Sequence, residues 1–161
     1  MTISLRILVV DDHPDITDIL CMQFELMGHR CSAAHEGRTG IEIHHAVDPD
    51  IAIIDIGLPD ISGYEVARAI RAANPRAFLV ALTGWGEPSD ITRAREAGFD
   101  RHLLKPVDSA LLREIVSEAA RGRGEIESEG SAFARSRSTR ERRAVSETPD
   151  SPPAPAEGIR R

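Results

Sequence analysis

The sequence predicts an α/β domain over residues 1–121, an open doubly wound sheet of five parallel strands, followed by a disordered tail over 122–161. Three observations carry that prediction. Short apolar runs recur five times, each followed by a stretch with helical spacing. The third run, Ile51-Ala52-Ile53-Ile54, is apolar at every position, as a strand buried on both faces must be. Apolar residues are 41% of the chain and aromatics only 4%, so the core is built from Ile, Leu, Val and Ala, which suit helices packed on a buried parallel sheet.

The first strand covers 5–10 and stops at Asp11-Asp12-His13-Pro14. Pro14 fits a first helical turn, where the amide hydrogen it lacks has no partner. Ile16, Ile19, Leu20, Gln23, Phe24 and Met27 follow with mostly helical spacing, and Gly28 ends that helix. A weaker strand occupies 30–34. The next helix, 37–46, cannot continue past Pro49. The central strand over 51–54 ends in Asp55, and Gly57-Leu58-Pro59-Asp60 forms a loop. Residues 64–73 read as a helix with Val66, Ala69 and Ile70 inward, closed by Asn74-Pro75. The fourth strand, 78–82, closes at Thr83-Gly84, and a short helix over 89–97 stops at Gly98. Leu103-Leu104 is a brief fifth strand leading into Lys105-Pro106, and Asp108 caps a last helix that runs to Ala120. Strands alternating with helices of this length pair in parallel through right-handed crossovers. The expected sheet order is the flavodoxin-like 2-1-3-4-5.

The net charge of −6 is uneven. Residues 1–121 hold 12 basic and 19 acidic side chains, net −7, and residues 122–161 hold 8 and 7, net +1. An acidic body argues against nucleic-acid binding by the folded part. Cys21 and Cys31 form no CxxC or zinc-ligand pattern and read as two small buried thiols in a reducing compartment. No segment reaches the roughly 20 apolar residues of a membrane span, and no basic-then-apolar leader opens the chain, so a cytoplasmic protein without membrane contact is expected. From Gly122 onward Gly, Ser, Arg, Glu and Pro displace apolar residues. Such a segment cannot bury enough area to offset its chain entropy. The Arg-rich stretch 135–143 is interrupted by Glu141 and reads as solvated rather than as a nucleic-acid contact. Forty residues of this composition are not expected to hold an output domain.

In an open parallel sheet, ligands bind beyond the carboxyl ends of the strands, near the topological switch. Asp11, Asp12, Asp55, Thr83 and Lys105 all fall there. Three carboxylates packed together repel, and a hard divalent cation relieves the repulsion. Mg2+ prefers oxygen ligands, keeps several waters, and takes one or two carboxylates plus a phosphate oxygen. A hydroxyl and an ammonium opposite the metal complete a clamp for a transferring phosphoryl group. Asp55 closes the central strand and is the candidate nucleophile. Lys105 is the only lysine among 20 basic residues, and a compact point charge suits a single phosphoryl or carboxylate oxygen. Asp60 and Asp108 read as helix caps or turn residues. His13, His29, His35, His44 and His45 show no ligand spacing. Trp85, in the loop over the cleft, reads equally as a recognition residue or as loop packing.

Four motifs stand in order at strand ends, across some 120 of 161 residues. They are Val9-Val10-Asp11-Asp12, Asp55-Ile56-Gly57-Leu58-Pro59 with Gly63, Leu82-Thr83-Gly84, and Leu104-Lys105-Pro106. Together they resemble a bacterial two-component response-regulator receiver domain of the CheY-like type. The resemblance implies that Asp55 accepts a phosphoryl group from a sensor histidine kinase or a histidine phosphotransfer protein. It implies that Asp12 binds Mg2+ directly, Asp11 through water, and Gly57 through its backbone carbonyl, with Asp55 in the same metal site. Thr83 and Lys105 would bind phosphoryl oxygens, Thr83 moving inward on activation and Lys105 pairing with Asp55 beforehand. A cis bond before Pro106 is also implied. One position departs from the pattern. Three residues before the lysine, where the family usually has Tyr or Phe, stands His102, which can make the same swing and titrates near neutrality.

Three functions are compatible with these residues. The first is a phosphorylation-switched signalling protein, not itself an enzyme, whose output is binding or release of an unknown downstream protein. The second is a phosphate shuttle or sink in a multistep phosphorelay, or a receiver separated from a hybrid kinase. The third is a Mg-dependent phosphatase with an aspartyl-phosphate intermediate. That chemistry wants a second acid two residues after the nucleophile, where this chain has Gly57.

Overall fold

The five apolar runs pair as β1 (Arg6–Val10), β2 (Arg30–Ala34), β3 (Ile51–Asp55), β4 (Phe78–Thr83) and β5 (Arg101–Leu104) in a computed structural model, which describes residues 3–122. The sheet order is β2-β1-β3-β4-β5, as expected, with every neighbour parallel. The connections are the helices α1 (Pro14–Leu26), α2 (Gly37–Val47), α3 (Gly63–Ala73) and α4 (Pro88–Ala97), and α5 follows over 109–122. The expected tail, with its Arg-rich stretch, lies outside the described residues. Among the described residues no helix is long and apolar enough to cross a membrane.

Strand alternation builds two cores, one on each face of the sheet. Leu8 and Val10, Ala52 and Ile54, and Leu79 and Ala81 pack with Val66, Ala67 and Ile70 of α3 and with Ala94 and Ala97 of α4. Ile7 and Val9, Ile51 and Ile53, and Val80 and Leu82 pack with Leu20 and Phe24 of α1 and Leu112 and Ile115 of α5. Every residue of β3 is buried, so its all-apolar run is what a central strand between two helical layers requires. Burying each of these large side chains contributes roughly 2 kcal/mol.

Helix phases differ from expectation at two positions. Ala67, not Ala69, faces inward on α3, because the helix starts at Gly63 and its sheet face runs through residues 63, 66, 67 and 70. On α1 the buried face is Thr17, Leu20 and Phe24, and Ile19 is half exposed. The cysteines also differ from expectation. Cys21 of α1 and Cys31 of β2 are joined as a disulfide rather than standing as two free thiols, with Cα atoms 5.2 Å apart. The packing of α1 alongside β2 is what brings residues ten apart in sequence together. His29 is a core residue whose Nδ1 accepts the Leu5 N–H at 3.2 Å.

Two devices fix the loop after β3. Ser62 caps α3 in a capping box with Glu65. Gly63 then packs so closely on the strand end that a Cβ would strike the Asp55 carbonyl oxygen and sit 2.7 Å from the Ile56 Cα, so only glycine fits. Asp60 caps a helix, as expected of it, but the helix is α2, not its own. Its carboxylate accepts the N–H groups of Gly37 at 2.7 Å and Arg38 at 2.9 Å, where Glu36 makes no side-chain cap. Asp108 accepts the Leu111 N–H at 2.9 Å and caps α5.

The Asp60 cap gives a first prediction. Burial pushes the carboxyl up, but hydrogen bonds from backbone N–H groups, Arg38 and Gly37 foremost, together outweigh it and hold the carboxyl down at about 2. A depressed carboxyl stabilises the fold above its unfolded value of 3.8, and the contribution is lost as pH falls through about 2. Asp60→Ala is expected to cost about 1 kcal/mol at neutral pH, the usual cap loss, kept small by the exposed setting. Thermal melts at pH 7 and pH 2.5 check this: the gap between variant and wild type must narrow at the lower pH.

Candidate functional site

The sheet order sets the site. β5, β4, β3 and β1 lie in successive positions, so the residues that follow them emerge along one edge. Asp11 follows β1 and donates its N–H to the Ala34 carbonyl at 3.0 Å. Asp55 and Thr83 are the last residues of β3 and β4, and Lys105 follows β5 with its N–H on the Thr83 carbonyl at 2.8 Å. Asp11 is fully buried, Asp55 is 6% and Thr83 8% exposed, and Asp12 is half-buried. The peptide bond between Lys105 and Pro106 is cis, as expected.

Lys105 joins the two buried acids. Its Nζ lies 2.7 Å from Asp11 Oδ2 and 3.5 Å from Asp55 Oδ2. The expected pairing with Asp55 is therefore shared, and the shorter contact goes to the deeper carboxylate. Burial pushes the Asp11 carboxyl up, but hydrogen bonds from Lys105 and His13 outweigh it and hold it below its ordinary range. Asp55 goes the other way. Burial first, and then the charge of Asp11, push it up, while Lys105 and the Gly57 N–H at 3.4 Å offset only part. The cleft thus holds one acid whose charged form is favoured and one whose charged form burial and Asp11 disfavour.

Thr83 is tethered. Its Oγ1 donates to the Trp85 carbonyl at 2.7 Å and accepts the Trp85 N–H at 3.0 Å. The Trp85 ring is 81% exposed, which excludes the loop-packing reading. At Gly57 a Cβ would meet nothing within 4 Å, so the space beside Asp55 is open. His102 stands on β5 opposite Ala81, half-buried, with its Nε2 enclosed and without a hydrogen-bond partner among the described residues. Burial lowers its pKa, and the charge of Asp90 offsets part of that. It is not a member of the acidic cluster.

That cluster comprises Asp11, Asp12, His13 and Asp55, whose ligand atoms all lie within 4.8 Å of one another. Three carboxylates, two of them buried, are a donor set that suits a hard divalent cation. His13 is the residue that sequence spacing misses. Its Nδ1 lies 3.1 Å from Asp11 Oδ1 and 3.2 Å from Asp12 Oδ1. The hydrogen bond it donates to Asp11 and then the charges of Asp12 and Asp11 raise its pKa. The signal was available: a histidine directly after an acidic pair, turned back by the helix start at Pro14.

The family model described as the response regulator receiver domain matches residues 7–117. A virulence sensor protein, BvgS of Bordetella bronchiseptica, is 38% identical over 125 residues, covering 73% of this chain. The chain spans only 10% of that sensor's length. A CheY-like receiver domain from Methanospirillum hungatei superposes with a TM-score of 0.72 at 27% identity, covering 76% of this chain and 99% of that one. A receiver domain described as BeF3-activated DrrB superposes with a TM-score of 0.68 at 25% identity, covering 74% and 99%. Receiver domains are the two-component modules phosphorylated on an aspartate, and on the family match this chain belongs to the response regulator receiver domain family.

Proposed function

We propose that Asp55 is the phosphoryl acceptor and that its phosphorylation switches the binding of a downstream protein. One observation carries this reading: Asp55 closes the central strand with a raised pKa, between the carboxylates of Asp11 and Asp12 and the ammonium of Lys105. An Asp55 oxygen attacks the phosphorus of a phosphohistidine on a sensor histidine kinase or a histidine phosphotransfer protein. The O–P bond forms as the P–N bond breaks, and the imidazole leaves with a proton from solvent. Lys105 then turns from carboxylate oxygens to a phosphoryl oxygen, and Thr83 exchanges the Trp85 carbonyl for another. Asp11, Asp12 and Asp55 with the Gly57 carbonyl would hold Mg2+, which would supply positive charge against the phosphoryl oxygens. His102 occupies the position that follows Thr83 inward. The protein acts in the cytoplasm and as a switch rather than as an enzyme. The switch itself is a population shift, so the downstream protein binds one state better than the other.

A second reading is a segment of a multistep phosphorelay. It is favoured by the likeness to a sensor protein of which the chain spans a tenth. Passage of the phosphoryl group from Asp55 to a histidine phosphotransfer protein distinguishes the two.

Trp85 fluorescence tests the proposal. Its backbone holds Thr83 Oγ1 on both sides, so Thr83 cannot move without disturbing the loop that carries the exposed ring. Beryllofluoride with Mg2+ is expected to change Trp85 emission in wild type and not in Asp55→Asn. An equal response in that variant removes Asp55 from the role.

A further inference from the structure

His13 stands beside the acidic residues without being required by the chemistry assigned to them. We infer that His13 is an additional ligand of the cation site and shifts its preference toward divalent ions that bind imidazole well, such as Ni2+ and Co2+. The inference deepens the proposed cation role of Asp11, Asp12 and Asp55 and rests on it.

An octahedral ion with donors at about 2.1 Å has neighbouring donors about 3.0 Å apart. Nδ1 of His13 lies 3.1 Å from Asp11 Oδ1 and 3.2 Å from Asp12 Oδ1, the separations that neighbouring donors of such a shell would have. The backbone that carries the ring is held from two directions. The His13 N–H donates to Asp11 Oδ1 at 2.9 Å, and Pro14 starts α1 immediately after it. A ligand tied by its own backbone to a neighbouring ligand loses little freedom on binding. The side chain is 64% exposed, so it can adjust toward an arriving ion without repacking the core.

Donor type then sets selectivity. Carboxylates and water suit Mg2+, whereas imidazole adds affinity for ions later in the first transition series, Ni2+ among the strongest. A site of oxygen donors alone makes that distinction less sharply. His35 is a useful contrast. Its Nε2 is engaged with Thr17 Oγ1 at 3.1 Å, and it is not among the clustered ligands.

Calorimetric titration of the full chain with Mg2+ alone and with Ni2+ alone tests this. Only Ni2+ binding that excess Mg2+ displaces is counted, which sets aside the other histidines. His13→Ala is expected to weaken that Ni2+ binding about tenfold and to change Mg2+ binding less than about twofold, with His35→Ala matching wild type for both. The inference is overturned if His13→Ala leaves Ni2+ unchanged or shifts both ions by the same factor. The second result would make the ring a competing counter-charge rather than a ligand. Asp12→Asn separates the two levels of the argument. If it leaves both affinities at the wild-type values, the cation-site reading itself fails, whatever His13 does. His13→Gln keeps a polar side chain of similar reach, and circular dichroism of each variant reports folding.

Discussion

Asp55→Asn is expected to abolish phosphoryl uptake and, in the same protein, to raise the thermal midpoint. Loss of uptake follows from removing the nucleophilic carboxylate. The gain in stability follows from what that carboxylate costs. Burial and the charge of Asp11 raise its pKa, so the ionised form is disfavoured in the folded state. The linkage sign is fixed by that direction. A raised acid binds its proton more tightly when folded, so stability falls as pH rises from the unfolded value of 3.8 through the folded value, and the whole cost is present above it. Asparagine keeps the shape and an oxygen for the Gly57 N–H and carries no charge. A gain of about 1 kcal/mol would move the midpoint by about 3–5 °C in a domain of this size. Melts from pH 4 to pH 8 are the check: the gain must grow with pH. A site that stores destabilisation at its reactive group is a recurring trade-off between activity and stability.

Lys105→Met is expected to act in the opposite sense. Lys105 is the ammonium between two buried carboxylates, 2.7 Å from Asp11 and 3.5 Å from Asp55. Its removal leaves both acids without that counter-charge. Breaking a buried pair costs about 3–5 kcal/mol, and the 22% exposure of the Lys105 side chain places the expected loss near the low end, about 3 kcal/mol. The hydrogen bond from Lys105 is among the forces that lower Asp11, so its stabilisation is present above 3.8 and is lost as pH falls through the lower folded value. The variant should therefore lag wild type most at neutral pH and approach it in acid. Mg2+ should restore part of the loss, since a cation beside Asp11 and Asp55 replaces the missing charge. Chemical denaturation at pH 7 and pH 3, with and without Mg2+, measures all of this. The response of Trp85 to beryllofluoride should be lost with the ammonium.

Much of this was legible in the sequence, for identifiable reasons. Ile51 to Ile54 could only be a strand buried on both faces, and β-α alternation left the sheet order little freedom. Because ligands gather at strand ends, Asp11, Asp55, Thr83 and Lys105 could be put in one cleft before any geometry was known. Legibility failed where the third dimension decides. Asp60 reads as a helix cap, but nothing local says that the helix is α2, more than twenty residues away. Ala69 and Ala67 are the same residue type two positions apart, and only the start of α3 at Gly63 selects between them. The shorter contact of Lys105 with Asp11 depends on relative depth, which spacing does not encode. Cys21 and Cys31 match no short motif, and their pairing depends on α1 packing along β2. His13 forms no motif with the other histidines, and its partners are the two acids beside it.

The central claim is that Asp55, alone among the clustered acids, carries the phosphoryl group. The most direct measurement is to phosphorylate the full chain with a small-molecule donor such as acetyl phosphate in Mg2+, reduce the acyl phosphate with borohydride, and map the modified residue by mass spectrometry. The account predicts one modified position, Asp55, and no adduct in Asp55→Asn. Modification of Asp11 or Asp12 in wild type, or a full yield of adduct in Asp55→Asn, would contradict it.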